Sequence, residues 1–176
     1  SSWTQLGQDI TGDANDTFGE FFGVSVSLSD DGKTLAVGAN SNDGNGENSG
    51  CVRIYHLQGD GTHWEQIGQD IYGDGDALGH SVSLSADGKT VVIGAPWNYD
   101  RGEDSGQVRV YHIDNAGSTW EHLGQYINGE AAYDYFGWRV GISSDGKILA
   151  IGAPGDNLEN DRPGYVRVYY LESNGL

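Results

Sequence analysis

One stretch of this chain occurs three times. It reads FGVSVSLSDDGKTLAVGAN at residues 22–40, LGHSVSLSADGKTVVIGAP at 78–96 and FGWRVGISSDGKILAIGAP at 136–154. Each copy reads as a β-hairpin. In the first, an alternating run (Ser25, Val26, Ser27, Leu28) meets Asp-Gly, and a second apolar run (Leu35, Ala36, Val37) ends at Gly-Ala. Asp-Gly between two apolar runs is a strong hairpin signal, because glycine takes the positive φ that the turn needs. A motif that recurs at fixed intervals limits the fold severely, since every copy must bury the same faces.

The repeat is longer than the hairpin. Trp3, Trp64 and Trp120 each open a similar segment, WTQLGQDITG, WEQIGQDIYG and WEHLGQYING. Trp, Leu or Ile, and Ile alternate there with polar residues, the pattern of a strand. An acidic loop follows (13–21, 74–77, 130–135), then the hairpin, then a second loop of constant length (40–49, 96–105, 154–163), then a last strand: GCVRIYH, GQVRVYH or GYVRVYY. Each unit therefore has four short strands and no helical period. The expected fold is all-β: a β-propeller of three four-stranded antiparallel blades, with units at about 3–63, 64–119 and 120–176. A solenoid would have a shorter period, and a single sandwich would lack the threefold self-similarity.

Columns of equivalent residues predict the packing. Val26, Val82 and Val140 share a face with Leu28, Leu84 and Ile142. The opposite face carries Ser25, Ser27, Ser81 and Ser83, with Arg139 and Gly141 in the third copy. Small residues there are expected to leave room for Tyr55, Tyr111 and Tyr169 of an adjacent blade. Arg53, Arg109 and Arg167 are expected to make inter-blade ion pairs or cation–π contacts.

The order F-G-x-S-V-S-L-S, D-G-K, A-V-G-A-P and G-x-V-R-V-Y resembles the FG-GAP repeat, which builds the β-propeller of integrin α-chains and occurs in many extracellular proteins. The FG pairs are Phe22-Gly23 and Phe136-Gly137, with Leu78-Gly79 as a variant. The GAP triplets are residues 94–96 and 152–154, with Gly38-Ala39-Asn40 as a variant. The resemblance implies a propeller with a binding or adhesion role. It does not carry over the integrin-type D-x-D-x-D-G calcium loop. That place holds only SDDGK, SADGK and SSDGK, whose Asp31, Asp87 and Asp145 read as turn formers.

In this phase residues 3–10 are an outer strand without a unit before them, and the last unit ends on its third strand. The expectation is that residues 3–10 complete the last blade by exchange between two chains, closing a six-bladed ring. A head-to-tail polymer, or three units drawn from a longer array, are the other readings.

The formal net charge is -17. Three lysines follow the Asp-Gly turns and three arginines sit in the last strands, so no basic cluster remains to bind a nucleic acid. No run approaches about 18 apolar residues, so no membrane span is expected. Cys51 is the single cysteine and reads as a strand residue. A chain opening at Ser1 and lacking Met fits a processed, secreted or cell-surface protein, or an excised fragment.

Both loops of each unit fall at one end of a four-strand meander, which gathers 15 of the 26 acidic residues there. The second loop repeats an oxygen donor at Asn42, Asn98 and Asp156 and a carboxylate at Glu47, Glu103 and Asp161. Such oxygens in a Gly-rich loop suit Ca²⁺, which is therefore the candidate cofactor. His80, Trp97, Tyr99, Tyr133, Tyr135, Trp138 and Arg139 differ between units at the same end and form the candidate ligand site. Aromatic rings beside carboxylates suit a glycan or a protein ligand. The function expected is an extracellular binding or adhesion module without catalytic residues. The alternatives are a self-assembling structural protein and a carbohydrate-active enzyme using paired carboxylates.

Overall fold

The computed structural model describes residues 1–12, 20–155 and 163–172. Asp13, Asn15, Asp16, Asp156, Glu159 and Asp161 lie outside the described residues. All regular structure among those described is β, in three antiparallel sheets. The first contains β1 (Ser25–Leu28), β2 (Thr34–Ala39) and β3 (Cys51–Leu57), with β4 (Trp64–Gln66) and β5 (Ile71–Tyr72) sharing the outer edge of β3. The second repeats this plan with β6 (Ser81–Leu84), β7 (Thr90–Ala95), β8 (Gln107–Ile113), β9 (Trp120–His122) and β10 (Ile127–Asn128). The third has only β11 (Arg139–Ile142), β12 (Ile148–Ala153) and β13 (Tyr165–Tyr170). The outer position reads as one strand in the sequence. It breaks in two at Gly68 and Gly124, whose φ of +72 and +78 takes the backbone out of extended geometry, and the register on β3 and β8 shifts across the break.

The hairpin turn is built the same way each time. Ser29 N–H donates to Thr34 C=O, the Ser29 hydroxyl donates to Asp31 Oδ1, and Lys33 N–H donates to the same carboxylate. Gly32 then takes φ +68, which closes the turn without a Cβ clash. Ser85 with Asp87 and Ser143 with Asp145 repeat the arrangement. These bonds hold the Asp31 and Asp145 carboxyls below their usual range. The aspartates are turn formers, as the sequence predicts.

Consecutive sheets stack face to face, in a propeller-like way. Ala36, Val52, Ile54 and Ile71 of the first sheet pack on Leu78, Val82, Leu84 and Trp120 of the second. Val92 and Val108 pack on Phe136, Leu149 and Ile151 of the third. β7 lies between the two seams and is buried along its whole length. The turns also join across the seams, Asp30 N–H to Ala86 C=O and Ala86 N–H to Ser144 C=O.

The FG and GAP signatures meet at these seams. A Cβ on Gly38 would run into the carbonyl oxygen of Gly79, and one on Gly94 into that of Gly137. The glycine of each GAP position thus admits the FG glycine of the next sheet. The serine column serves the same contact. Ser25 donates to Gly79 C=O (2.7 Å) and Ser81 to Gly137 C=O (2.8 Å), while Ser27 and Ser83 accept from Leu84 N–H and Ile142 N–H. Tyr111 and Tyr169 pack against the seam clusters as well, but the serines do more than leave room for them. They bond the innermost strand of the next sheet directly, which only a short hydroxyl side chain can do at this spacing.

Residues 3–10 form no strand. They lie beside the outer edge of the first sheet, where the Gln8 side chain pairs with the Trp64 backbone in both directions and the Trp64 indole donates to Leu6 C=O. Gln69, Trp120 and Ile67 repeat this contact one sheet on.

Candidate functional site

Among the described residues, the loops before the innermost strands and those between the second and third strands share one end of the stack. Ala77 N–H bonds Asn48 C=O and Tyr135 N–H bonds Asp104 C=O, so each leading loop is sewn to the second loop of the preceding unit. Part of the acidic face is nonetheless interior. Glu20, Asp76 and Asp134, each two residues before the FG position, are buried. Glu20 accepts from Asn42 (2.7 Å) and Arg53 (3.3 Å), and Asp76 accepts from Asn98 (3.1 Å) and Arg109 (2.5 Å). In the third unit Asp134 accepts from the Tyr165 hydroxyl, while Arg167 turns to Glu130.

The arginine column corrects an expectation. Its ion pairs and cation–π contacts stay within a sheet. Arg53 also donates to Asp70 on the outer edge, and Arg109 lies 5.0 Å over the Tyr126 ring, which occupies the column of Asp70. Arg53 and Arg109 sit on third strands flanked by their own outer strand and leading loop, and Arg167 meets Glu130 of its leading loop, so partners are met before the next sheet is reached. Burial pushes the Asp70 carboxyl up, but hydrogen bonds from Gln66, Arg53 and Tyr72 outweigh it and hold the group below the usual range. Cys51, beneath this network, is fully buried, and burial with the nearby Asp70 pushes its thiol up to about 12. It is a strand residue and not an activated nucleophile.

Of the candidate ligand residues, five converge. His80 stands between Trp97 (4.9 Å between ring centroids) and Trp138 (4.5 Å), the two indoles are 5.6 Å apart, and Tyr135 meets Trp138 edge-on at 5.9 Å. Trp97 follows the end of β7, while His80 and Trp138 precede β6 and β11, so the seam between the second and third sheets brings them together. The Arg139 guanidinium donates to Trp138 C=O at 2.9 Å and lies 3.5 Å from His80 Nε2. His80 Nδ1 is buried with no hydrogen-bond partner among the described residues. Burial, and then Arg139, depress the His80 pKa, so the ring is neutral and carries an unused polar atom. Tyr99 and Tyr133 stand apart. Tyr99 is exposed on the second loop, and the Tyr133 hydroxyl donates to Glu103 at 2.5 Å.

The candidate calcium donors in the described loops are committed to the loops themselves. The Asn42 and Asn98 side chains are buried, their Oδ1 atoms accepting from Gly44 N–H and Asp100 N–H and their Nδ2 groups donating to Glu20 and Asp76. Glu47 is exposed, and Glu103 binds Tyr133. No group of three or more His, Cys, Asp or Glu side chains placed to hold a metal occurs among the described residues. A cation on Asn42 or Asn98 would have to displace bonds already made. His56 and His112 pair with Thr34 and Thr90 and belong to the scaffold.

The buried acid column and its asparagine partners escaped the sequence reading as a unit. The signal was present, an acid two residues before every FG position and an amide two residues after two of the three GAP positions.

The FG-GAP repeat family profile matches residues 10–55, 72–111 and 128–169. No curated protein matches the chain. Among solved structures, it is similar to a candidate 6-phosphogluconolactonase from Bacteroides uniformis, with TM-score 0.52 and 18% identity over 86% of this chain and 38% of that one. It is also similar to Sqt1 from Saccharomyces cerevisiae, with TM-score 0.51 and 13% identity over 91% of this chain and 38% of that one. The chain thus spans about two fifths of the length of these proteins. At such identities the likeness supports a propeller-like fold and no activity.

Proposed function

Because the chain belongs to the FG-GAP repeat family, we propose that it is a propeller-type binding module whose ligand face is the loop end of the sheet stack. The observation that supports this is the ring cluster of His80, Trp97, Trp138 and Tyr135 with Arg139 at its rim. These side chains are half-buried or exposed, and they differ from unit to unit while the scaffold columns repeat. Indole faces stack on the apolar face of a sugar ring, and a guanidinium, an imidazole and nearby carboxylates can bond its hydroxyls. A glycan is therefore the first ligand class and a peptide on a partner protein the second. The secreted or cell-surface setting and the adhesive role rest on the family.

A panel of immobilised glycans and peptides tests the reading. Trp97→Ala and Trp138→Ala are each expected to weaken the wild-type hit by at least about tenfold, the loss typical of a central aromatic anchor, while circular dichroism stays unchanged. Binding that survives both substitutions would remove the cluster from the site.

A further inference from the structure

We propose that two copies of this chain dock head to tail, the third sheet of each on the first sheet of the other, and that residues 3–10 of one copy form the outer strand on β13 of its partner. The internal seams show what such a contact needs. Each missing piece occurs once at either end of the stack.

The outer strand comes first. Its register is seen twice, Leu57 opposite Trp64 with Val52 opposite Ile71, and Ile113 opposite Trp120 with Val108 opposite Ile127. No strand pairs with the outer edge of β13 among the described residues. The same offsets would set Trp3 opposite Leu171 and Ile10 opposite Val166. Trp3, whose equivalent Trp120 is buried at a seam, is fully exposed.

The seat for that indole is open. Between the second and third sheets lies a cleft of about 980 Å³ lined by Val92, Val110, Leu123, Gly124 and Tyr169. At the preceding seam the Trp120 indole occupies this place, pressed against Gly68 and bonded to Ile67 C=O. Nothing lies within 4 Å of the equivalent position on Gly124. Charge agrees as well. Asp9 occupies the column of Asp70, the partner of Arg53, and Arg167 is the arginine of β13, with its side chain 31% exposed against 12% for Arg53.

Residues 3–10 already stand in the right place. Leu6 and Gln8 hold Trp64 as Ile67 and Gln69 hold Trp120, so the segment lies where the outer strand of a sheet preceding the first would lie. The third sheet of a partner is such a sheet. The faces match too. Val26 and Leu28 on the first sheet, and Val166 and Val168 on the third, are exposed, whereas Val82, Leu84, Val52 and Ile54 in the same columns are buried at a seam. Gly152 and Gly23, the two halves of the FG–GAP contact, have no neighbour pressing on them.

A head-to-tail contact closes a ring or grows a fibre. Two copies with three described sheets each fall within the range of about 4–8 blades over which propellers close. Arg139 and Gly141 replace the seam serines, so this junction lacks two hydrogen bonds and is weaker than the internal ones.

Light scattering on the 176-residue chain tests the proposal, with twice 18.8 kDa expected at micromolar concentration. Gly152→Ala is expected to keep the fold, since the nearest atom to the added Cβ is Arg139 O at 3.6 Å, yet to yield the monomer mass. Asp9→Arg and Arg167→Asp should each weaken the dimer by about tenfold or more, and their combination should restore it. Oxidised Ile10→Cys/Val166→Cys protein should migrate as a covalent dimer. A monomeric wild type would overturn the proposal and assign these faces to repeats flanking them on a longer chain. An open-ended polymer, or a disulfide formed within one chain, would overturn it equally.

Discussion

Asp76 is 1% exposed and accepts from Arg109, from Asn98 and from the backbone of Asp74. Taking it away would leave a buried guanidinium short of its main partner, a change that costs about 3–5 kcal/mol when nothing replaces the charge. Asp76→Ala is therefore expected to lower the urea midpoint by that much free energy at an unchanged m-value. Arg167 with the exposed Glu130 is the contrasting case. Removing Glu130 should cost less than about 1 kcal/mol, the range of surface pairs. The sequence places Asp76 and Glu130 in the same acidic loops and offers no means of telling them apart. Burial decides between them, and burial depends on how the leading loop folds over the third strand.

At the level of the element, the hairpins and their turn chemistry were legible, because Asp-Gly and period-two alternation act over a few residues. Contacts between sheets were harder to read. The serine column carried the correct signal, small residues facing a neighbour, but its hydrogen bonds to that neighbour's backbone could not be read from the pattern. The GAP glycine follows from the same close approach. Gly94→Ala would force the Gly137 carbonyl and Ser81 hydroxyl aside, and neither can yield without parting the seam. A loss of about 3 kcal/mol or more is expected in thermal or urea melts, the upper range for overpacking. An unchanged stability would mean that the seam is looser than described. The aromatic cluster was only half legible. Its members were named, but that His80 joins Trp97 and Trp138 while Tyr99 and Tyr133 stand apart depends on the stacking of two sheets.

For the molecule as a whole, acid is the sensitive direction. Burial depresses the pKa of His80 and His122, so the unfolded chain takes up these protons first as the pH falls through about 6.5, and stability declines there. Asp70 and Asp87 are held below the usual carboxylate range. The stability they contribute is present above about pH 4 and is lost as the pH falls through their folded values. Melting temperatures should be level from about pH 7 to 8, dip through the histidine range and drop steeply below about pH 4. A rise in stability between pH 7 and 5 would contradict the burial of these imidazoles.

The same glycine-to-carbonyl contact joins sheet one to sheet two and sheet two to sheet three, and neither junction draws on residues beyond the adjoining units. A gene built this way can gain or lose a whole unit by duplication or excision and leave every remaining junction chemically intact. Change in such a lineage would come in multiples of one repeat, and novelty would gather in the few loop positions that the junctions do not use.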